Sequence, residues 1–454
     1  MQIIIIGAGE VGYSIAEILS RENKDVVVID ADAARLKRVS DGLDIKTVCG
    51  SGSNPKVLSM AGLNQADMLI AVTDSDEVNM IACLIAGSQA NIPVKIARIR
   101  NPEYAENTTI LDKKHLNIDL AISPERAAAD VILNILAVPH ASSVAEFFEG
   151  KVKLFSLKVN SGCPVIGKLL KDLPFLHPGS NVLIPAICRE GKIIIPRGND
   201  LILEGDEVYT ITASENVSRV ISFFGFDADK GRRVMIAGGG RIGHYLAKKL
   251  EKQGISVKIV ERCEAKCEEI AEDLKKTVVL NGDVSEQDLL TEENISNMDY
   301  FIAVTNDDEV NILSSILAKQ MGAKTVITLV NKATYIPLTS QVGIDVALSP
   351  RLSTVSGILQ YARRGKILSL TSIHEEDAEA IEVIALETSD IVNKPLKDIK
   401  EPKGAIIGAI EREGRVIIPK GEDVVLPGDR VLIFTLRASI KDVEKSLMVK
   451  MEFF

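Results

Sequence analysis

Two short loops hold the residues best suited to chemistry. GAGEVG, residues 7–12, sets Gly7, Ala8, Gly9, Glu10, Val11 and Gly12 directly after an apolar run and at the start of an amphipathic one. Glycines at this spacing let the backbone turn tightly and approach a pyrophosphate, which then rests on a helix N-terminus and its positive dipole. GGGRIG, residues 238–243, repeats the pattern as Gly238, Gly239, Gly240, Arg241, Ile242 and Gly243. Eighteen residues beyond the last glycine of each loop, the next apolar run ends in an acid: Asp30 in DVVVID and Glu261 in SVKIVE. That is near the spacing of a carboxylate that takes ribose hydroxyls. Such a carboxylate favours a free diol and repels a 2′-phosphate, so NAD(H) or an adenine mononucleotide is expected over NADP. The alternative is a bare scaffold whose glycines only pack helix on strand.

The fourth loop position separates the two sites. A dinucleotide pyrophosphate carries about two charges and ATP about four, so Glu10 should penalise ATP more. Two unit charges ~6 Å apart near a surface interact by ~3 kcal/mol at an effective dielectric of ~20, before screening. NAD(H) is therefore expected at the Glu10 site, whereas Arg241 makes the second site more tolerant of ATP or ADP. Alternatively, Glu10 points to solvent and only complements the helix dipole.

Other candidates lie at later strand ends, which face the ligand crevice in open α/β sheets. AVT followed by DSDEVN offers Thr73 and Asp74, and AVT followed by NDDEVN offers Thr305 and Asn306. The competing reading makes the acids Asp76 and Asp308 helix N-caps. KIARIR ends in Arg98 and Arg100 on one face, either of them a phosphate ligand or part of a solvated edge; the second copy has Leu329 opposite Arg98. No catalytic residue emerges. The five histidines, His115, His140, His177, His244 and His374, do not fall at strand ends read as facing the crevice. No Ser/His/Asp or Cys/His constellation is present, and Cys263 with Cys267 lacks the further ligands of a metal site. An NAD-dependent oxidoreductase with its substrate site in the smaller domains stays open as a second function class.

These residues need elements to position them, and the chain writes those elements twice. IIIIGAGEVGYSIAEIL recurs as VMIAGGGRIGHYLAKKL, LIAVTDSDEVNM as FIAVTNDDEVNI, and REGKIIIPRGNDLILEGDEV as REGRVIIPKGEDVVLPGDRV. The front half of each copy alternates β-branched runs with helical stretches, predicting βαβ units and a parallel, doubly wound Rossmann-like sheet. The back half reads as a small α+β module whose hairpin turns at Glu190-Gly191. Four segments result: 1–140 Rossmann-like, 141–228 α+β, 229–365 Rossmann-like and 366–454 α+β, with FDADKGRR (226–233) as linker.

Composition narrows the class further. A net charge of −10 argues against nucleic acid, whose phosphates require clustered Lys and Arg. Scattered cysteines suit a reducing cytosol. No apolar run reaches the ~18 residues of a spanning helix, and MQIIIIG lacks the basic region of a secretory signal. Contact with a membrane would go through a partner.

The doubled order, with GAGEVG, GGGRIG, AVTDSDEVN and AVTNDDEVN, resembles the Trk-type potassium-uptake regulatory proteins, which carry tandem RCK (KTN) domains. The resemblance spans essentially the full length. It implies a cytoplasmic, non-enzymatic regulatory subunit, peripheral on the inner face of the cell membrane through a potassium-translocating integral membrane partner (TrkH- or TrkG-like). It also implies a homo-oligomer, dimer or tetramer, forming a ring of Rossmann domains that responds to NAD(H) and ATP or ADP. In single-copy relatives a basic residue late in the sheet and an acid after the next strand help hold phosphates or an associated cation. Their counterparts are Arg98 and Glu125; copy two has Leu329 and Arg351 there, so its site is expected to differ.

Overall fold

The computed structural model describes residues 1–101, 103–104, 108–112, 115–173, 181–227, 231–362, 367–373, 378–399 and 404–447. His177, His374 and residues 228–230 of the linker lie outside them.

The first sheet holds β1 (Gln2–Ile6), β2 (Asp25–Asp30), β3 (Lys46–Cys49), β4 (Met68–Ala71), β5 (Val94–Arg98) and β6 (Leu120–Ile122). All pairs are parallel, in the order β3-β2-β1-β4-β5-β6. Ile3 to Ile6 form an unbroken apolar run because both faces of β1 are covered: Ile4 and Ile6 enter one core, Ile3 and Ile5 the other. The longer helices between these strands are α1 (Glu10–Arg21), α2 (Ala33–Gly42) and α3 (Asp76–Gln89); α4 (Pro124–Leu136) follows β6, and from Asp130 onward it counts with a second compact unit.

An antiparallel module follows: β7 (Ala141–Phe147), β8 (Val152–Lys158), β9 (Val182–Arg189), β10 (Lys192–Ile194), β11 (Glu207–Ala213) and helix α5 (Val217–Phe223). Its order is β10-β9-β11-β8-β7. The β9–β10 turn holds Glu190 at φ 51° and Gly191 at φ 74°, both left-handed as a two-residue hairpin of the primed type requires.

The second copy repeats both folds. β12 (Arg233–Ala237), β13 (Ser256–Glu261), β14 (Val278–Asn281), β15 (Tyr300–Ala303), β16 (Thr325–Leu329) and β17 (Val346–Leu348) are ordered β14-β13-β12-β15-β16-β17. Its longer helices are α6 (Arg241–Lys252), α7 (Glu264–Asp273), α8 (Asp308–Gln320) and α9 (Pro350–Ala362). The second module has β18 (Ile367–Ile373), β19 (Ala378–Ile384), β20 (Ala405–Arg412), β21 (Arg415–Ile417), β22 (Arg430–Leu436) and α10 (Ile440–Leu447), in the equivalent order β18-β19-β22-β20-β21. Each module is cornered by a two-bond arginine–aspartate pair, Arg189–Asp206 and Arg412–Asp429.

These segments gather into two compact units. The first is Met1–Ala129 with Ser349–Arg363; the second is Asp130–Leu348 with Arg364–Phe454. Helix α9 follows β17 in sequence yet belongs to the first unit. There it lies against α1, with Val355 and Ile358 in the same core as Ile15 and Leu19. In the second unit the two small modules share one core, in which Phe147, Phe148 and Leu154 meet Ala380, Leu432 and Phe434. Among the described residues, no helix is long and apolar enough to cross a membrane.

Candidate nucleotide sites

Each glycine loop runs from a strand into a helix, as the spacing predicts. Gly7 and Gly238 sit at φ 106° and 104°, a region L side chains avoid. A Cβ on Gly12 would lie 1.8 Å from the Gly7 carbonyl oxygen, and one on Gly243 2.0 Å from that of Gly238. Those glycines are needed by the fold itself. Gly9 and Gly240 differ: a Cβ there would meet nothing within 4 Å. Each is the N-cap of its helix in extended conformation, and among the described residues no side chain caps α1 or α6. The first turn of each helix thus starts without a side-chain cap beside an open N-cap position, the arrangement that receives an anion. Ala8, Gly12, Ile242 and Gly243 are buried and Val11 packs against the core, so these positions offer only backbone to a ligand.

The strand-end acids hold the loops. Asp30 accepts from Ala8 N at 2.6 Å and from Asp32 N at 2.8 Å; Glu261 accepts from Gly239 N and Cys263 N, both at 2.9 Å. Each carboxylate oxygen keeps a second lone pair, so ribose hydroxyls remain within its acceptor capacity.

Thr73 and Thr305 stand beside the loops, the backbone of each 3.0 Å from a Cβ built on Gly7 or Gly238. Their hydroxyls are committed elsewhere, donating to Asn79 and Asn311 at 2.7 Å. These two asparagines are fully buried, and each also donates to the carbonyl closing the neighbouring strand, Arg98 or Leu329. They tie together the strand ends below the site, a role not extracted from the DEVN motif. Asp76 and Asp308 are not the caps, which corrects that expectation. Ser75 and Asp307 cap α3 and α8, while the buried Asp76 and Asp308 accept backbone N–H groups from Arg100 and Asn101, and from Asn331 and Lys332. A short turn after the strand would otherwise leave those donors unpaired.

Arg98 reaches Asp74 at 3.2 Å, but its side chain is only 14% exposed and its buried Nε has no partner among the described residues. A half-satisfied buried guanidinium at a strand C-terminus is chemically fitted to a phosphate. Arg100 turns instead to Glu125 at 3.0 Å. In the second copy Leu329 is buried and offers no charge, while Arg241 and Asn306 are exposed. His244 pairs with Asp273 at 2.8 Å. Cys267 donates to the Glu261 carbonyl, and no cluster suited to a metal occurs among the described residues.

Glu10 is not a lone carboxylate. Its Oε1 accepts from Arg38 at 2.5 Å and its Oε2 from Arg351 at 2.6 Å. Arg351 also donates to the Ser14 hydroxyl, and Arg38 lies over the Tyr13 ring at 4.8 Å. The Arg38 hydrogen bond, with the Arg351 charge, holds the Glu10 carboxyl below its ordinary range against a counteracting desolvation. The sequence expectation of an uncompensated negative charge thus loses its premise; the side chain is exposed, as the alternative has it, but it is engaged by two arginines.

The TrkA-N domain family matches residues 3–124 and 234–350, and the TrkA-C domain family matches 154–225 and 380–448. "Trk system potassium uptake protein TrkA" of Azorhizobium caulinodans is 43% identical over the whole of both chains. The protein of that name from Halomonas elongata is 44% identical, also over the whole of both. The chain belongs to the TrkA family. The GsuK RCK domain superposes with a TM-score of 0.62 at 19% identity, covering 98% of this chain and 94% of its own, a likeness of fold. As a TrkA-family chain, it keeps glycine loop, strand-end acid and buried asparagine in both copies, and differs between copies in the charges around them.

Proposed function

We propose that this chain is the cytoplasmic, nucleotide-binding regulatory subunit of a Trk-type potassium uptake system, held at the inner face of the membrane by a potassium-translocating (TrkH- or TrkG-like) partner. The observation that carries the reading is full-length membership of the TrkA family, in a chain whose two glycine loops keep the geometry of an anion site. On this reading the four segments run 1–140, 141–228, 229–365 and 366–454.

The uncapped helix N-termini and Gly9 and Gly240 take the phosphates, Asp30 and Glu261 take ribose hydroxyls, and Arg98 pairs with phosphate in the first site. The acids favour NAD(H), ATP and ADP over a 2′-phosphorylated dinucleotide. A solved GsuK channel bound to NAD, 19% identical, has the same fold. Binding gates the partner only if the ligand prefers one arrangement of the subunits; equal affinity for both shifts nothing. A homo-oligomer is supported by apolar side chains at corresponding exposed positions, Ile81 (41% exposed) on α3 and Leu313 (63%) on α8.

Co-purification with the membrane partner, followed by potassium flux under NADH, ATP and ADP, tests the reading. Nucleotide-dependent flux is expected. Robust hydride transfer to a substrate, or no effect on any potassium-translocating partner under any nucleotide, would overturn it.

A further inference from the structure

Resting on the nucleotide reading above, we infer that Arg351 is a specificity-determining residue of the first site, setting how much anionic charge its glycine loop accepts. The first observation is placement. Arg351 lies at the start of α9, yet its guanidinium bonds Glu10 Oε2 at 2.6 Å and the Ser14 hydroxyl through Nε at 2.9 Å. Both acceptors are on α1, at and just after the uncapped turn that faces the phosphate position. The second is charge. Glu10 is the one acid in the first turn of α1, and it meets two guanidinium groups, so the cluster of Glu10, Arg38 and Arg351 carries one net positive charge. Without Arg351 that cluster is neutral.

The third observation is exposure. The Glu10 side chain is 56% exposed and that of Arg351 20%, so the arginine is the better fixed member and Glu10 the one free to turn away when phosphate arrives. An incoming polyphosphate takes over the pairing that Glu10 supplies in the free protein. A dinucleotide, with about half the charge of ATP, gains less from it. Arg351 also belongs, by chain connection, to the second copy. Selectivity at the first loop therefore depends on a residue 341 positions away from its carboxylate partner.

The test uses the full chain carrying Gly240→Asp, which silences the second loop with a side chain for which there is room. Calorimetric titration with NADH and with ATP gives the affinity ratio. Arg351→Gln is expected to weaken ATP about tenfold more than NADH, a difference that shrinks at high salt. Arg351→Lys keeps the charge but loses the fork to Ser14, and should hold the ratio near that of the parent. Glu10→Gln should move the ratio the other way. An ATP-to-NADH ratio unchanged within about twofold in Arg351→Gln overturns the inference while leaving nucleotide binding intact. Equal losses in the Lys and Gln variants, with NADH falling as far as ATP, mark Arg351 as a purely structural tie and overturn it too. Failure of the Gly240→Asp parent to bind either nucleotide sinks the nucleotide reading of the first site itself.

Discussion

The two glycine loops make the same hydrogen bonds with side chains of different size. In the first copy Ala8 donates to Asp30; in the second Gly239 donates to the longer Glu261. A Cβ on Gly239 would stand 3.2 Å from the Glu261 Cβ and 2.4 Å from the Ile270 Cδ1. The first copy has Val39 where the second has Ile270, each buried in its core. The methyl gained at Ala8 is thus matched by a methylene lost at Asp30 and another at Val39. Tight packing allows the duplicated site to drift only through such compensated exchanges. Charge has drifted further. Glu10 and Arg38 in the first copy correspond to Arg241 and Glu269 in the second, a reversal of sign at both positions.

Glycine substitutions break this comparison most severely. Gly12→Ala forces a Cβ into the Gly7 carbonyl and should cost at least about 4 kcal/mol, measured by denaturant unfolding. Gly9→Asp should instead leave the fold intact, because the site is open and aspartate suits an extended N-cap. Its carboxylate fills the anion position and should abolish nucleotide binding at the first loop. A folded Gly9→Asp protein that still binds NADH with parental affinity at that loop would place the ligand elsewhere.

Asn79→Ala comes next. It strips partners from Thr73 N, Thr73 Oγ1 and the Arg98 carbonyl in a dry interior, a loss of roughly 3 kcal/mol. Asn311→Ala should cost a similar amount, since its bonds are the same in kind. A difference of more than about 1.5 kcal/mol between the two would show that the strand ends bear unequal loads.

Gly239→Ala tests the exchange of volume directly. Alone it should destabilise by about 2 kcal/mol through overpacking. Combined with Glu261→Asp and Ile270→Val it recreates the first copy's trio and should recover most of that loss. An additive triple variant, with no recovery, would refute the compensation.

Most of this architecture was legible in the chain. The duplicated blocks, the β-branched runs and the Glu190-Gly191 turn each act locally, within a few residues of the feature they produce. Even the acids Asp30 and Glu261 follow from a fixed spacing along one βαβ unit. The partners of Glu10 were not legible for the opposite reason. Arg38 is 28 residues away and Arg351 is 341, the latter brought in by a helix that follows the other copy's last strand. The sign reversal from Glu125 to Arg351 is visible in the sequence, which by itself attaches it to the second site, whereas the structure sets Arg351 against Glu10 of the first. Likewise Asp76 carries the residue type of a cap and sits one position past it, where burial makes it a backbone acceptor instead.

The smallest effect concerns pH and falls on Glu10. Its carboxyl titrates below the ordinary value of 4.5 because Arg38, and then Arg351, favour the charged form. A group with a depressed folded-state pKa contributes stability that is fully present above its unfolded value and is lost as pH falls through the folded one. The contribution should therefore vanish only below about pH 4.5, in the acid limb of an unfolding profile. Because Glu10 is more than half exposed, solvent screening keeps the effect well under about 1 kcal/mol. Glu10→Gln should flatten that part of the profile by lowering stability at neutral pH by the same small amount, the two profiles converging in acid. No corresponding feature should appear on mutating Arg241, which carries the same charge throughout that range. A Glu10→Gln profile that parallels the parent from pH 3 to 6 would mean the two arginines hold the loop without regard to the charge between them.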